Sequence, residues 1–326
     1  MNKLYPLKFK PIFKDKVWGG QKIHTELGLD FGKLPNCGEL WAISGIEGEQ
    51  SVVENGFLAE NELNELIEVY MGDLVGEKVF KQFEEEFPLL IKFLDANDWL
   101  SIQVHPDDEL AKQRGIGYGK TEMWYILEAE KNAELISGFN RKLDEENYLQ
   151  YFENGKMKEI LNFEKVKKGD VFFIPAGRVH ALGPGILLAE IQQTSDTTYR
   201  IYDWDRPGSD GKLRQLHTEE ALDAIDFTFH KEYKTLYESK PNSTSSLVNS
   251  QYFTTNLIEL DKTVLKNTSQ LDSFVIYMGV EGTCSIKFEG GSVNINKGET
   301  VLVPASINNL IIEPLPKSKL LEIYIP

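Results

Sequence analysis

The chain has 326 residues, 41% of them apolar and 11% aromatic, so it is long enough to bury a substantial core in two domains or one double domain. Its formal net charge of −16, from 35 basic and 51 acidic side chains, disfavours binding to nucleic acid or to anionic membranes. No segment approaches the roughly 20 apolar residues of a membrane-spanning helix, and the N-terminus lacks the apolar core of a signal peptide.

Cysteine usage points to the cellular compartment. Cys37 and Cys284 lie far apart and have no CxxC spacing, which indicates neither a thiolate zinc site nor a disulfide framework. Together with the composition of the N-terminus, this usage predicts a reducing, cytoplasmic setting.

The first half of the chain mixes helical and strand patterns. Residues 61–87 carry apolar side chains every three or four positions and are followed by Pro88, so we predict helix there. The next segment, PLLIKFLDANDWLSIQVHP, predicts a buried strand, a turn over 95–98 and a second strand that stops at Pro106. KTEMWYILEAE predicts a further strand, and the charged segment 142–163 predicts a helix between strands.

An internal repeat predicts the architecture. GDVFFIPAGRVH at 169–180 aligns with GETVLVPASINN at 298–309, an offset of 129 at every position. Upstream, WYILEAE at 124–130 aligns with VIYMGVE at 275–281, an offset of 151. The offsets differ by 22 residues, which is close to the length of the predicted helix 142–163. The simplest explanation is one barrel-like unit that occurs twice, with a helical insertion in the first copy.

Four side chains of the first copy have the chemistry of metal ligands. Gln103 and His105 lie two residues apart, so on a strand both project from the same face. Glu122 begins the next predicted strand, and His180 closes the glycine-proline turn of the repeat. Two imidazoles, a carboxylate and an amide oxygen suit Zn²⁺ and leave room for water or substrate. Fe(II) or Mn²⁺ would accept the same set, so the ligand types do not select the metal.

The spacing of these ligands is similar to the double signature of the cupin barrel, in which two segments converge on one metal. We therefore predict a mainly β fold of two cupin-type jelly-roll barrels with a small helical segment in or around the first. A catalytic domain is predicted over 1–240, with helical segments at about 61–87 and 142–163, and a C-terminal cupin-like domain over 241–326.

The second copy is expected to be free of metal. Asn309 aligns with His180, and Ser273 occupies the position nearest to that of Glu122. Three further histidines have no partner spacing and are not predicted to be ligands: His24, His217 and His230.

A chain of this charge must gather cations locally if it is to bind an anion. Lys120 lies two residues before Glu122, so its side chain is predicted to point toward the metal rather than to the surface. Lys92 lies in the apolar run LLIKFL, where a bound anion or a neighbouring carboxylate must balance its charge. Asp196 and Arg200 lie four residues apart and could form a structural ion pair or clasp an anion within the site.

With these residues in place, the chain resembles the class I mannose-6-phosphate isomerases in their shorter bacterial form. The matching motifs run from about residue 11 to 206: KDKVWGG, CGELWAIS, LLIKFLDANDWLSIQVHPDD, KTEMWYIL, GDVFFIPAGRVHALG and EIQQTSDTTYRIYDWDR. SIQVHP followed by KTEMW is specific to this family, whereas the PAGxxH turn belongs to cupins at large.

The resemblance implies a zinc-dependent aldose-ketose isomerase that interconverts mannose 6-phosphate and fructose 6-phosphate through a metal-stabilised cis-enediol. It implies one Zn²⁺ per chain and a small sugar phosphate as the partner of a monomer or homodimer. The implied zinc ligands are Gln103, His105, Glu122 and His180. The implied catalytic residues are Lys120, Asp196 and Arg200, and the implied substrate and phosphate contacts are Lys92, Ser101, Lys120 and Arg200.

Two other functions remain open at this stage. An iron-dependent cupin dioxygenase would use a related site, but such enzymes commonly have three histidines and one glutamate, and Gln103 replaces one imidazole here. A non-catalytic sugar-binding cupin would keep the barrel without turnover, and the presence of Lys120 and Arg200 argues against it. The general base is also open, between Lys120 and the pair of Asp196 and Arg200.

Overall fold

The fold is mainly β, as the sequence predicts. The computed structural model describes residues 3–208 and 211–326. Its strands, β1 to β19 in chain order, are Ile12–Lys14, Glu39–Ile43, Leu89–Ala96, Ile102–Val104, Glu122–Ala129, Glu134–Phe139, Leu161–Lys165, Val171–Ile174, His180–Leu182, Ile186–Gln193, Tyr199–Tyr202, Lys234–Thr235, Thr244–Asn249, Thr254–Leu260, Val264–Asn267, Val275–Phe288, Gly291–Asn296, Thr300–Val303 and Asn309–Tyr324. Its α-helices, α1 to α7, are Lys22–Thr25, Leu63–Tyr70, Gly72–Val75, Glu77–Phe83, Asp108–Arg114, Glu145–Glu153 and Thr218–Ala224.

Two antiparallel sheets face each other in the first part of the chain. One has the order β1-β2-β3-β10-β5-β8-β12 and the other β11-β4-β9-β6-β7, so neighbours in space are often distant in sequence. Apolar side chains from both inner faces, among them Trp124, Ile174, Leu135 and Leu182, pack into one core. The two sheets therefore pack face to face over a shared apolar core.

A third sheet is formed by the last part of the chain. Its order is β13-β14-β19-β16-β17, with β15 also pairing to β19 and β18 to β16. One face of the third sheet shares a large apolar core with the first sheet, in which Phe93 of β3 packs with Phe274 and Ile276. Leu7 exchanges backbone hydrogen bonds of 2.8 and 2.9 Å with Leu302, so the N-terminal segment is held by the third sheet. The division of the chain at residue 240 stays a prediction.

The internal repeat is visible in the backbone. Gly169 and Gly298 have φ of +86° and +89°, a conformation that glycine adopts without steric cost, and each precedes a strand of the repeat. β8 pairs with β5, and β18 pairs with β16, but the register corrects the upstream alignment. Glu122 opposes Ile174 whereas Val275 opposes Val303, so Val275 and not Ser273 stands at the position of Glu122, and the upstream offset is 153 rather than 151. The alignment fails at its end, because His180 is buried while Asn309 is exposed and Leu310 faces the core instead.

The predicted helix over 61–87 is broken into α2, α3 and α4. Met71 and Gly76, between them, have φ of +47° and +98°, which no right-handed helix can contain. A side chain at Gly76 would place its Cβ within 2.2 Å of the Asp272 carbonyl oxygen, so the close approach of the third sheet requires glycine there. The sequence pattern thus locates the helices correctly but not their breaks.

The predicted helix over 142–163 is wrong at its end. α6 covers Glu145–Glu153 and a short 3-10 turn follows at Met157–Glu159. Leu161–Lys165 is instead strand β7, which pairs with β6. Pairing with an adjacent strand outweighs the weak helical preference of the charged segment.

Across the residues that the structure describes, none of the helices has both the length and the apolar composition that crossing a membrane requires.

Candidate functional site

Three predicted ligands meet between the two facing sheets. Glu122 is the first residue of β5 in one sheet, and His180 is the first residue of β9 in the other. His105 directly follows β4, which is the neighbour of β9. One ligand atom from each of these three residues lies within 4.8 Å of the others, and all three side chains are buried.

The distances within the cluster are those of groups that share a centre. His180 Nε2 lies 3.3 Å from Glu122 Oε1, and His105 Nε2 lies 3.5 Å from Glu122 Oε2. Gln103 pairs directly with His180 across β4 and β9, and its Nε2 lies 3.3 Å from His180 Nε2. Rotation of the Gln103 amide by half a turn would direct its oxygen to the same place, since the two ends of an amide have the same shape.

Both imidazoles are oriented by backbone carbonyls. His105 Nδ1 lies 2.9 Å from the Thr197 oxygen, and His180 Nδ1 lies 2.8 Å from the Arg178 oxygen. A carbonyl only accepts, so each Nδ1 carries the proton and each Nε2 presents its lone pair to the cluster. This is the support that histidine ligands of metals usually receive.

The residues present fit a divalent cation. His105 Nε2 and both carboxylate oxygens of Glu122 are buried and have no hydrogen-bond partner among the described residues. Burial, reinforced by the charge of Glu190, raises the pKa of Glu122 to about 8. Burial lowers the pKa of His180 to about 3 and that of His105 well below its usual range. Neutral imidazoles beside a buried carboxylate are the donor set that a divalent metal satisfies.

A pocket of about 260 Å³ opens beside this cluster. Its wall contains six of the residues that the sequence analysis singled out: Lys92, Ser101, Gln103, Lys120, Asp196 and Arg200. Its charged side chains are five cations and three carboxylates: Lys16, Lys92, Lys120, Arg200, Arg214, Glu39, Glu190 and Asp196. The pocket therefore concentrates positive charge on a protein that is strongly acidic overall.

Lys92 is balanced by carboxylates. Its Nζ lies 3.3 Å from Glu190 Oε1, directly across β3 and β10, and 4.0 Å from Glu39 Oε2. The carboxylates in turn accept hydrogen bonds from the indoles of Trp124, at 2.8 Å, and Trp41, at 2.7 Å. Burial alone would lower the pKa of Lys92, but Glu190 and Glu39 outweigh it and raise the pKa. Of the two sequence-based explanations, the neighbouring carboxylate is present.

Sequence reasoning missed Glu39 and Glu190. A signal was available for Glu190, because an acid within the apolar run ILLAEIQQ is as anomalous as the lysine within LLIKFL. Two such opposite charges in buried strands predict each other as partners.

The other predicted residues lie at different depths. Lys120 precedes β5 by two residues, and its Nζ lies 3.6 Å from Glu122 Oε2. Ser101 is buried and donates a long hydrogen bond of 3.5 Å to Gln103 Oε1. Asp196 is exposed at the pocket edge.

Arg200 extends from β11, beside Gln103 in the sheet. Its Nη1 donates to the Gln215 oxygen at 2.7 Å, and its backbone N–H donates to His217 Nδ1 at 3.2 Å. No carboxylate within residues 3–208 and 211–326, Asp196 included, comes within 4.0 Å of the Arg200 guanidinium. The structural ion pair considered from the sequence is thus absent from the described part of the chain.

Known proteins resemble this chain over most of its length. Residues 6–165 match the family described as phosphomannose isomerase type I, catalytic domain, and residues 243–320 match the mannose-6-phosphate isomerase cupin domain. Mannose-6-phosphate isomerase ManA of Bacillus subtilis is 38% identical over 317 residues, which covers 94% of this chain and 96% of that protein. A mannose-6-phosphate isomerase of Streptococcus mutans is 35% identical over 305 residues, which covers 93% and 94%.

Solved structures show the same relationship. The mannose 6-phosphate isomerase from Bacillus subtilis superposes with a TM-score of 0.87 at 33% identity, covering 98% of this chain and 99% of that one. A variant phosphomannose isomerase from Salmonella typhimurium superposes with a TM-score of 0.80 at 17% identity, covering 99% and 100%, and shows the shared fold alone. The identity over nearly the whole length, the cupin domain and the His-Glu-His cluster lead to one conclusion: the chain belongs to the type I phosphomannose isomerase family.

Proposed function

We propose that this protein is a mannose-6-phosphate isomerase that uses one Zn²⁺ per chain, held by Gln103, His105, Glu122 and His180. The observation that carries the proposal is a buried cluster of nitrogen and oxygen atoms that could bind a metal, in which those of His105 and Glu122 have no hydrogen-bond partner in the described residues. This cluster lies beside a cationic pocket. The relatives with 35% and 38% identity are named for this activity. The charge of the pocket suits a phosphorylated sugar, which the acidic protein would otherwise repel.

The proposed reaction moves a proton between C1 and C2 of the open-chain sugar through a cis-enediol. When bound, Zn²⁺ supplies a Lewis acid that stabilises negative charge on the sugar oxygens. Lys120 lies beside the metal ligands, with its Nζ 3.6 Å from Glu122, and is the nearest group able to carry a proton between the two carbons. Asp196, at the pocket edge, is the alternative carrier.

Binding is assigned to the polar wall of the pocket. We assign Lys92, Ser101, Lys120 and Arg200 to the sugar phosphate, because all four line the same cavity as Gln103. Arg200 carries a guanidinium without a carboxylate partner in the described residues, so its planar fork can clasp an anionic oxygen of the substrate, either of the phosphate or of the enediolate. Lys92 is already balanced by Glu190 and Glu39, so in this proposal it donates to sugar oxygens without adding much net charge.

The cellular setting is also a proposal. We expect a cytoplasmic monomer or homodimer, and the two buried free thiols of Cys37 and Cys284 agree with a reducing compartment. Light scattering of the purified protein measures the oligomeric state directly.

The decisive experiment follows fructose 6-phosphate formation from mannose 6-phosphate in a coupled assay. Activity should disappear after treatment with a chelator and return when zinc is added. An oxygen electrode in the same reaction mixture tests the dioxygenase alternative, which predicts oxygen consumption. Binding of mannose 6-phosphate without turnover, in protein that contains one zinc per chain, would instead identify a sugar-binding protein and refute the isomerase.

A further inference from the structure

Three arginines lie near the buried carboxylate of Asp203: Arg200, Arg206 and Arg214. Asp203 accepts from Arg214 Nε at 2.6 Å and Nη2 at 2.5 Å, and from Arg206 Nη2 at 3.2 Å. Arg206 also reaches the exposed Asp98 at 3.0 Å. Arg200 has no carboxylate within 4.0 Å in the described residues. Among residues 3–208 and 211–326, the carboxylates paired with these three arginines are Asp203 and Asp98, so positive charge is in excess there.

Two of these arginines, Arg200 and Arg214, line the pocket beside the metal ligands, whereas Arg206 does not. Like charges placed together in a partly buried pocket repel each other unless an anion lies between them. Burial and the charge of Arg214 both lower the pKa of Arg200, which reports this proximity. Arg200 Nε is also buried without a hydrogen-bond partner among the described residues.

The lysines of the same pocket are different, because each already has a carboxylate. Lys92 lies 3.3 Å from Glu190, Lys16 lies 3.1 Å from Glu39, and Lys120 lies 3.6 Å from Glu122. The unbalanced positive charge is therefore at the arginine end of the pocket. A dianion such as a phosphate monoester gains most there.

We infer that Arg214 is a specificity-determining residue that holds the substrate phosphate together with Arg200, and that Asp203 is a positioning residue for the Arg214 guanidinium. The inference rests on the proposed function and names the end of the pocket that recognises the phosphate. Asp203 accepts from Nε and Nη2 of Arg214, and Arg214 lines the pocket, so Nη1 is the nitrogen that this pairing leaves available for an anion. Bidentate pairing holds a guanidinium plane in one orientation, which favours phosphate recognition.

Sequence reasoning did not find Arg214. It lies in the polar segment between β11 and α7, where neither strand alternation nor helical periodicity assigns a direction to a side chain. Only the contact with Asp203 brings it to the pocket.

The test compares Arg214→Gln with Arg206→Gln in zinc-loaded protein. Both variants remove one guanidinium from Asp203 and change the net charge equally, but only Arg214 lines the pocket. Calorimetry with inorganic phosphate should show roughly 10- to 100-fold weaker binding in Arg214→Gln, the usual effect of losing a charged hydrogen bond. Arg206→Gln should stay within about threefold of the wild type. Any contribution of zinc to phosphate binding is common to all three proteins and cancels.

Kinetics supply a second readout that loss of structure alone would not produce. Arg214→Gln should raise KM for mannose 6-phosphate about tenfold or more with kcat within about threefold, because the phosphate is remote from the reacting carbons. Should Arg214→Gln not fold, Arg214→Lys replaces it and should bind phosphate roughly 3- to 10-fold more weakly, since lysine lacks the planar fork.

Phosphate binding that is absent in the wild type, or unchanged in the Arg214 variant, overturns the inference even if the isomerase activity is confirmed. Conversely, a wild-type protein that does not isomerise mannose 6-phosphate refutes the proposed function. In that case the calorimetric comparison still decides whether Arg214 holds phosphate.

Discussion

Lys92 and Glu190 face each other across β3 and β10, with Lys92 Nζ 3.3 Å from Glu190 Oε1 and side-chain exposures of 4% and 5%. The pair is connected through Trp124 to His180, one of the candidate metal ligands. The Trp124 indole donates to Glu190 Oε2 at 2.8 Å and packs edge-on against the ring of His180, with 5.3 Å between ring centroids. A buried ion pair therefore supports the wall against which a metal ligand rests.

Removing one member of this pair should be costly. Lys92→Met leaves Glu190 buried without its cation, and we expect the free energy of unfolding to fall by about 3–5 kcal/mol. The double variant Lys92→Met, Glu190→Gln should regain part of the loss, because position 190 is then neutral and Glu39 keeps Lys16 as a cation at 3.1 Å. Urea denaturation of the wild type, both single variants and the double variant measures this coupling. A double variant no more stable than Lys92→Met would show that the pair is not coupled.

The metal site should depend on His180 and not on histidines elsewhere. We expect His180→Ala to lose bound zinc and activity together, since His180 Nε2 lies 3.3 Å from Glu122 in the cluster. The control is His24→Ala, which removes an exposed imidazole. Within the described residues, the hydrogen-bond partner of this imidazole is the Leu29 carbonyl. Zinc per chain is measured by mass spectrometry. A His180→Ala protein with a full complement of zinc would remove His180 from the ligand set.

Lys120 should act on turnover rather than on metal binding. Lys120→Ala is expected to keep zinc but to lower kcat by about 10²- to 10⁴-fold, the range for loss of a general acid or base. Lys168→Ala is the matched control, because Lys168 is half-exposed and pairs with Glu128 and Glu281 away from the pocket. Zinc content and kcat are measured on the same preparations. Activity near that of the control would transfer the proton-carrying role to Asp196.

In metal-free protein, the contribution of Glu122 to stability should fall as pH rises. The fall should be visible above about pH 6.5, because below that pH the buried neutral imidazoles of His105 and His180 contribute an opposing rise. The pKa of Glu122 is about 8 in the folded chain, against an ordinary value of 4.5, mainly because of burial. The folded state therefore favours the protonated carboxyl. The contribution of Glu122 to the free energy of unfolding is complete below about pH 4.5 and is lost as pH rises through about 8. Bound metal should reverse the trend by favouring the carboxylate.

Urea midpoints of chelated protein across this pH range measure the effect. Glu122→Gln, which cannot ionise, is the control and should not show the decline between about pH 6.5 and 8. A decline in stability of equal size in Glu122→Gln would show that groups other than Glu122 cause the decline.

Isotope exchange tests the proposed proton transfer. With mannose 6-phosphate in deuterated water, a cis-enediol route should place solvent deuterium at C2 of recovered mannose 6-phosphate or at C1 of fructose 6-phosphate. Both candidate carriers line the cavity, Asp196 exposed at its edge and Lys120 buried, and water that enters the cavity can exchange with their protons. Mass spectrometry and NMR of both sugar phosphates locate the label. Complete retention of the original hydrogen would favour a hydride shift instead.

Much of the metal site could be predicted because strand geometry is local. Alternation along a strand places Gln103 and His105 on one face, and the glycine-proline turn delivers His180 to the start of the next strand. Alignment by sequence places Asn309 at the position of His180, but in the third sheet Asn309 is exposed and Leu310 faces the core instead. A one-residue shift in the register of a strand moves every side chain to the opposite face of the sheet, and the hydrophobic periodicity of the sequence does not detect such a shift.

The sequence by itself determined the mainly β composition, the repeated unit, the four candidate ligands and the family, since each depends on residue types at short spacings. Only the tertiary structure decided which charges are balanced: Lys92 by Glu190 and Glu39, and Arg214 by Asp203. These partners lie on different strands and loops, and electrostatic energy depends on separation and burial, which sequence distance does not report. The end of the pocket with unbalanced positive charge is thus a property of the fold.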